Sequence, residues 1–226
     1  MKKLAILQSN YIPWKGYFDL IGKADLFVFH DDLQYTKNDW RNRNKIKTNQ
    51  GLEWLTIPCG TSEKRLICDV IINDKKWRQK HKNKIIETYK KCKYFDEYKF
   101  LLDFIYDQDW SNLSVLNQSV IKLISNEILG FNTKFIDSRE LDLKERKQDR
   151  VLEILNKLDY KYYISGPAAK DYIDIELFKE KGIHIEWMDY SKYREYPQLH
   201  GEFEHAVSIL DLIFNTGDNA KRYIEK

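Results

Sequence analysis

A chain of 226 residues, 42% hydrophobic and 32% charged, is long enough to bury a core without disulfides or a structural metal, and nine Gly with four Pro exclude a collagen-like or disordered chain. The net charge of +3 is too weak to imply nucleic-acid binding by the chain as a whole. Three Cys with no CxxC pair read as reduced thiols, and no signal-peptide core or run of 18 apolar residues occurs, so a cytoplasmic protein without a membrane span is expected.

Residues 3–8 (KLAILQ) read as a buried strand, 17–23 as a short helix and 26–29 (LFVF) as a second buried strand. Strand, loop, helix and strand within about 30 residues make a βαβ unit, which favours a parallel sheet. Residues 30–51 are polar and aperiodic, a long loop of the kind that often carries function. Strands are expected at 54–58 and 67–72. From 74 to 130 the pattern turns helical: a basic helix at 75–93 with Ile85, Ile86 and Tyr89 on its buried stripe, then helices at 95–106 and 113–129 closed by Gly130. Alternation then resumes, with strands at 133–136, 160–164 and 183–187 and helices at 144–159, 174–181 and 206–214. The expected architecture is one α/β domain over 1–226. Its sheet is mostly parallel and Rossmann-like, with 74–130 as a helical insertion.

Several clusters can carry chemistry. QSNYIPWKGY, residues 8–17, follows the first strand, where open parallel sheets bind ligands. Gln8, Asn10, Tyr11 and Trp14 are its candidate contacts. Gly16 at a helix start lets backbone approach an anion, the alternative being an aromatic-packed turn. His30-Asp31-Asp32-Leu33-Gln34-Tyr35 follows the second strand. Asp31 and Asp32 can take a proton or orient hydroxyls, and Gln34 and Tyr35 suit a sugar; the alternative is a solvated strand end. The spacing lacks the helper His or Glu of a metal site. TKNDWRNRNKIK, residues 36–47, sets five cations against Asp39. Arg41, Arg43 and Lys45 with Asn42 resemble a diphosphate clamp, and Trp40 can stack on a ring. An exposed basic loop or a nucleic-acid contact is the competing reading. His81, at the head of the basic helix, is a candidate general base. Ser165 and Gly166, with Tyr172, form a small-residue turn after a strand, and Gln198 lies in a Tyr-rich segment that can close as a lid. Nucleotide-transfer, hydrolase and zinc-protease signatures (GxSxG, GxGxxG, HExxH, HxGH) are absent.

The runs QSNYIPWKGYFDLI, ADLFVFHDDLQYTKNDWRNRNKIKT, WLTIP, SGPAAKDYI and SILDLIFNTG together resemble the WbqC-like family from residue 4 to about 217. One departure is Gln8-Ser9-Asn10-Tyr11 where that family has Gln-Pro-x-Tyr, which relaxes the turn without deleting a functional group. The resemblance implies a bacterial O-antigen or capsule enzyme that transfers an N-acyl or aminoacyl group, such as glycyl, to a nucleotide-linked amino sugar. It leaves the donor open between acyl-CoA, aminoacyl-tRNA and an ATP-activated acid. No nucleic-acid partner beyond a tRNA donor is expected. An adenylate-forming ligase and a non-enzymatic nucleic-acid or polysaccharide binding module are the alternatives.

Overall fold

The structure is a computed structural model and describes residues 1–224. In chain order the elements are β1 (Lys3–Leu7), α1 (Lys15–Gly22), β2 (Leu26–Phe29), β3 (Arg43–Thr48), β4 (Gly51–Thr56), α2 (Lys76–Tyr89), α3 (Phe95–Tyr98), α4 (Phe100–Tyr106), α5 (Leu113–Leu123), β5 (Lys134–Asp137), α6 (Lys147–Lys157), β6 (Tyr162–Ser165), α7 (Ile175–Glu180), β7 (His184–Trp187) and α8 (Ile209–Thr216). Five strands form one parallel sheet in the order β5-β2-β1-β6-β7. Order reverses between β1 and β6, as in Rossmann-like folds, and the ligand crevice of such sheets lies beyond the carboxyl ends of those two strands.

The near-continuous apolar strands follow from burial on both faces. Successive side chains point to opposite sides. Ala5, Phe27 and Phe29 therefore join a large core with α1, α8 and the helices of the middle segment. Leu4, Ile6 and Val28 face α6 and α7 in a smaller core. Gly130, at φ +60°, ends the helical segment in the left-handed region that glycine tolerates best.

Three expectations change. Residues 43–48 form β3, which pairs antiparallel with β4 as a separate two-stranded hairpin. Within it Asn44, Ile46 and Thr48 turn inward, while Arg43 and Lys45 stay part-exposed. In place of a strand at 67–72, Ile67–Asp69 make a 3-10 turn closed by the Val70 amide on the Ile67 carbonyl, and Ile71 forms an isolated bridge to Asn112. The expected 95–106 helix is two helices, α3 and α4, meeting at Lys99.

Candidate functional site

The first loop is fixed from three directions. The Ser9 amide donates to Asp31 Oδ1 at 2.7 Å, and the Tyr11 amide to the Trp40 carbonyl at 2.9 Å. Nδ2 of Asn44 donates to the carbonyls of Tyr11 and Ile12 at 3.1 and 2.8 Å. These bonds hold Asn10, Pro13 and Trp14 opposite Trp40 and Asn44, and between them lies a cavity of about 310 Å³ with Ala206 on its wall. Most of its lining is ring and aliphatic carbon, with amide groups at Asn10 and Asn44.

Trp14 is braced by edge contacts to Tyr190 and Tyr193, with ring centroids 5.1 and 6.0 Å away. Its indole lies against Gly16, where a Cβ would come within 2.3 Å of the ring. Gly16 therefore serves the packing of Trp14, in place of the expected backbone approach to an anion. Trp40 is 42% exposed and leans on Trp54 at 5.4 Å. Arg43 and Lys45 alternate with Asn44 on β3, so both lie over the Trp54 ring, at 4.1 and 5.1 Å. The result is an aromatic slot with two cations on the adjoining hairpin face.

Other expected contacts are committed elsewhere. Tyr11 is 1% exposed; its hydroxyl lies 3.0 Å from His81 Nδ1 and 2.7 Å from the Tyr106 hydroxyl. It pegs the first loop to α2 and α4 and offers nothing to a ligand. His81 is buried and hydrogen-bonded to the Thr56 backbone; desolvation, helped by Lys80, lowers its pKa to about 4. That corrects the general-base expectation, because such a histidine is a weak base held inside the packing.

Asp31 is fully buried. Its Oδ2 accepts from Ser114 Oγ and, at 3.0 Å, from Gln118 Nε2. Ser114, Asn117 and Gln118 share one face of α5 by their spacing of three and four residues. Asn117 holds the Arg41 carbonyl at 2.8 Å and Gln118 reaches Asp137 at 2.8 Å. This buried polar stripe clamps the carboxyl ends of β1, β2 and β5. Burial alone would raise the Asp137 pKa, but bonds from Arg139 and Gln118 hold it below the ordinary range.

Asp32 pairs with Arg150 and accepts from Ser138 Oγ at 2.5 Å. Arg150 Nε donates to His30 Nε2 at 2.9 Å, and desolvation brings the His30 pKa down to about 4. Neither aspartate lines the slot, so the catalytic roles expected for Asp31 and Asp32 become positioning roles.

Tyr35 is 1% exposed beneath the Arg65 guanidinium, and Gln34 is exposed and bridged to Leu66. Arg41 is paired with Asp39, and Asn42 is buried with Nδ2 on the Ile57 carbonyl. Neither belongs to a diphosphate clamp. The Gln8 carbonyl accepts from Tyr17 Oη at 2.9 Å. Ser165 is buried against Tyr163, Gly166 faces the Tyr190 hydroxyl, and Tyr172 is 64% exposed; none of the three lines the slot. Gln198 is structural: it accepts from Lys47 at 2.8 Å and donates to Asp211 at 2.7 Å.

Asn44, Trp54 and Ala206 were missed as candidates, and so was Lys15. Lys15 is 2% exposed; its Nζ donates to the Arg194 carbonyl at 3.1 Å and faces the rings of Tyr193, Tyr196 and Phe203. Burial lowers its pKa to about 8. Its neighbour in that cage, His205, also titrates below its ordinary value, first through burial and then through Lys15. Among the described residues no helix is long and apolar enough to cross a membrane.

The chain is 43% identical to the uncharacterized protein Rv1507c of Mycobacterium tuberculosis, over 99% of this chain and 98% of that protein. No solved structure matches. The model of the WbqC-like protein family matches residues 8–223. With the match covering nearly the whole chain, including the hairpin and the helical segment, the chain belongs to the WbqC-like protein family.

Proposed function

We propose that this protein is a transferase that acylates the amine of a nucleotide-linked amino sugar, with the sugar in the Trp14–Trp40 slot and its diphosphate against Arg43 and Lys45. The observation that carries the reading is the pairing of an aromatic slot of about 310 Å³ with two cations on the adjoining strand. Sugar rings present C–H faces that pack on indoles, amides satisfy hydroxyls, and guanidinium forks suit phosphate. A protonated amine cannot attack an acyl carbon, so a base must hold its proton as the N–C bond forms and the donor's leaving group departs. We assign that role to His205. It adjoins Ala206 in the slot wall and, unlike the buried His81, is part-exposed.

The test is mass spectrometry of a 4-amino sugar nucleotide incubated with the protein and, separately, an acyl-CoA, an aminoacyl-tRNA, or ATP with a free acid. One donor is expected to add one acyl mass. Trp14→Ala and Trp40→Ala should lower kcat/KM by at least tenfold while the protein stays folded. No mass gain with any donor class overturns the proposal.

A further inference from the structure

A second and larger cavity lies elsewhere. It holds about 860 Å³ between the end of α2 and the C-terminal turn, and it is lined by Lys91, Lys93, Arg194 and Arg222 with no Asp or Glu. We propose that this cavity binds the polyphosphate of a nucleotide, either ATP or coenzyme A.

The four cations come from three separate segments: the two lysines after α2, Arg194 in the strap after β7, and Arg222 in the turn after α8. Among the described residues none of the four is in an ion pair. Three other grooves mix their signs. The cavity beside His81 sets Lys76, Lys80 and Lys84 against Glu53, Asp74 and Glu87. Lysines past a helix C-terminus complement its dipole, which accounts for Lys91 and Lys93 locally. Arg222 likewise lies in the last turn of the 3-10 helix Gly217–Tyr223, and no such local reason exists for Arg194. Four like charges around one concavity raise its potential and draw in a multivalent anion.

Tyr94 and Tyr223 are part of the wall, and Lys93 Nζ lies over the Tyr94 ring at 4.9 Å. Tyr94 is held against Gly217, where a Cβ would meet the ring at 2.5 Å. Cys92 also faces the cavity, but burial raises its thiol pKa to about 12, so it contributes shape and no nucleophile.

The same strap serves both cavities. The Arg194 carbonyl holds Lys15, the residue after Trp14, and Ala206 closes the slot. Polyphosphate held by Arg194 would therefore fix the strap that walls the sugar slot. In the transfer reaction this places the donor, and that role rests on the proposed function; the binding itself does not.

The test is titration calorimetry of the full chain at low and physiological salt with ATP, coenzyme A, inorganic triphosphate and inorganic phosphate. ATP or coenzyme A should bind, and more tightly than inorganic phosphate. Arg194→Gln with Arg222→Gln should weaken it by about tenfold or more. Lys91→Gln with Lys93→Gln should act in the same direction. Lys76→Gln with Lys80→Gln, on the mixed-sign groove, should leave it unchanged, and all three variants should melt with the wild type. Preference for ATP marks acid activation and preference for coenzyme A a thioester donor; either supports the proposal. Absence of binding by both nucleotides overturns it. So does binding that survives loss of Arg194 and Arg222, or a site that takes only tRNA. Nucleotide binding without acyl transfer would sink the proposed function alone, and acyl transfer without nucleotide binding here would sink this inference alone.

Discussion

Replacing Asp31 separates a positioning carboxylate from a catalytic one. In the wild type it accepts from the Ser9 amide, Ser114 Oγ and Gln118 Nε2 in a site closed to water. Asp31→Ala strands the Ser9 and Ser114 donors, while Gln118 keeps Asp137 and Ser114 Oγ. At about 1–3 kcal/mol for each buried donor left without a partner, the loss centres on about 4 kcal/mol. With a urea m-value of about 3 kcal/mol/M for a chain of this size, the midpoint falls by about 1.3 M. Tryptophan fluorescence reads it directly, because Trp14 sits on the loop that Asp31 holds and the Trp40 carbonyl accepts from that loop's Tyr11 amide. Asp31→Asn keeps an acceptor for the Ser9 amide and should fall between the two proteins in both stability and activity. Ser114→Ala should weaken the fold less than Asp31→Ala, and the double variant should cost less than the sum of the singles. An Asp31→Ala protein with an unchanged urea midpoint and no activity would refute the reasoning and return Asp31 to the chemistry.

Three further outcomes follow from buried groups. His81 has a folded pKa of about 4 against an ordinary 6.5, so between those values the unfolded chain takes up a proton that the folded one refuses. Stability should therefore fall as pH drops from 6.5, by up to about 1.4 kcal/mol per pH unit. Urea midpoints between pH 6.5 and 5 should show a shallower slope in His81→Gln; an equal slope counts against it. Gly16→Ala drives a Cβ into the Trp14 indole, so it should destabilise by about 1–3 kcal/mol and loosen sugar-nucleotide binding; an unchanged melting point and Kd would contradict that. Lys47→Met removes a buried cation bonded to Gln198 and lying close to Asp211, whose pKa burial already raises. Limited proteolysis should then cut the strap at 198–206 faster than in the wild type, and equal rates would mean that Lys47 does not hold it.

Strands such as Leu26–Phe29 were legible because burial on both faces demands apolar residues at every position. β3 was not. Its inward positions include Asn44 and Thr48, whose polar groups are satisfied by the carbonyls of Tyr11, Ile12 and Gly51, so polarity there signals hydrogen bonding and not exposure. In the first loop, Tyr11 and Trp14 belong to one aromatic run, yet one is core and the other lines a cavity. What decides is His81 and Tyr106, 70 and 95 residues away in sequence, and no local pattern encodes that meeting. The Asp31–Asp32 pair misled for the same reason, since its partners Ser114, Gln118, Ser138 and Arg150 arrive from later elements. The cations of the cavity between α2 and the C-terminal turn were individually visible but too scattered along the chain to be read as a group.

The sheet has the strand order that places a ligand where β1 and β6 diverge, with phosphate on the amides that open α1. That position is filled here. The Trp14 indole covers Gly16, the Pro13 carbonyl accepts from the Ile209 amide, Trp14 bridges to Ser208, and Lys15 is buried beneath an aromatic cage. Backbone amides at the mouth of the crevice are thus traded for side chains. The slot is displaced outward against the β3–β4 hairpin, and under the proposed function charge recognition falls to Arg43 and Lys45. Side-chain cations at a partly exposed rim are screened by salt far more than a buried helix terminus is. Sugar-nucleotide affinity should therefore drop between low and physiological ionic strength, and Arg43→Gln with Lys45→Gln should remove most of that dependence while leaving the Trp14–Trp40 contribution in place. A salt response that survives the double substitution would put the phosphates somewhere other than the hairpin.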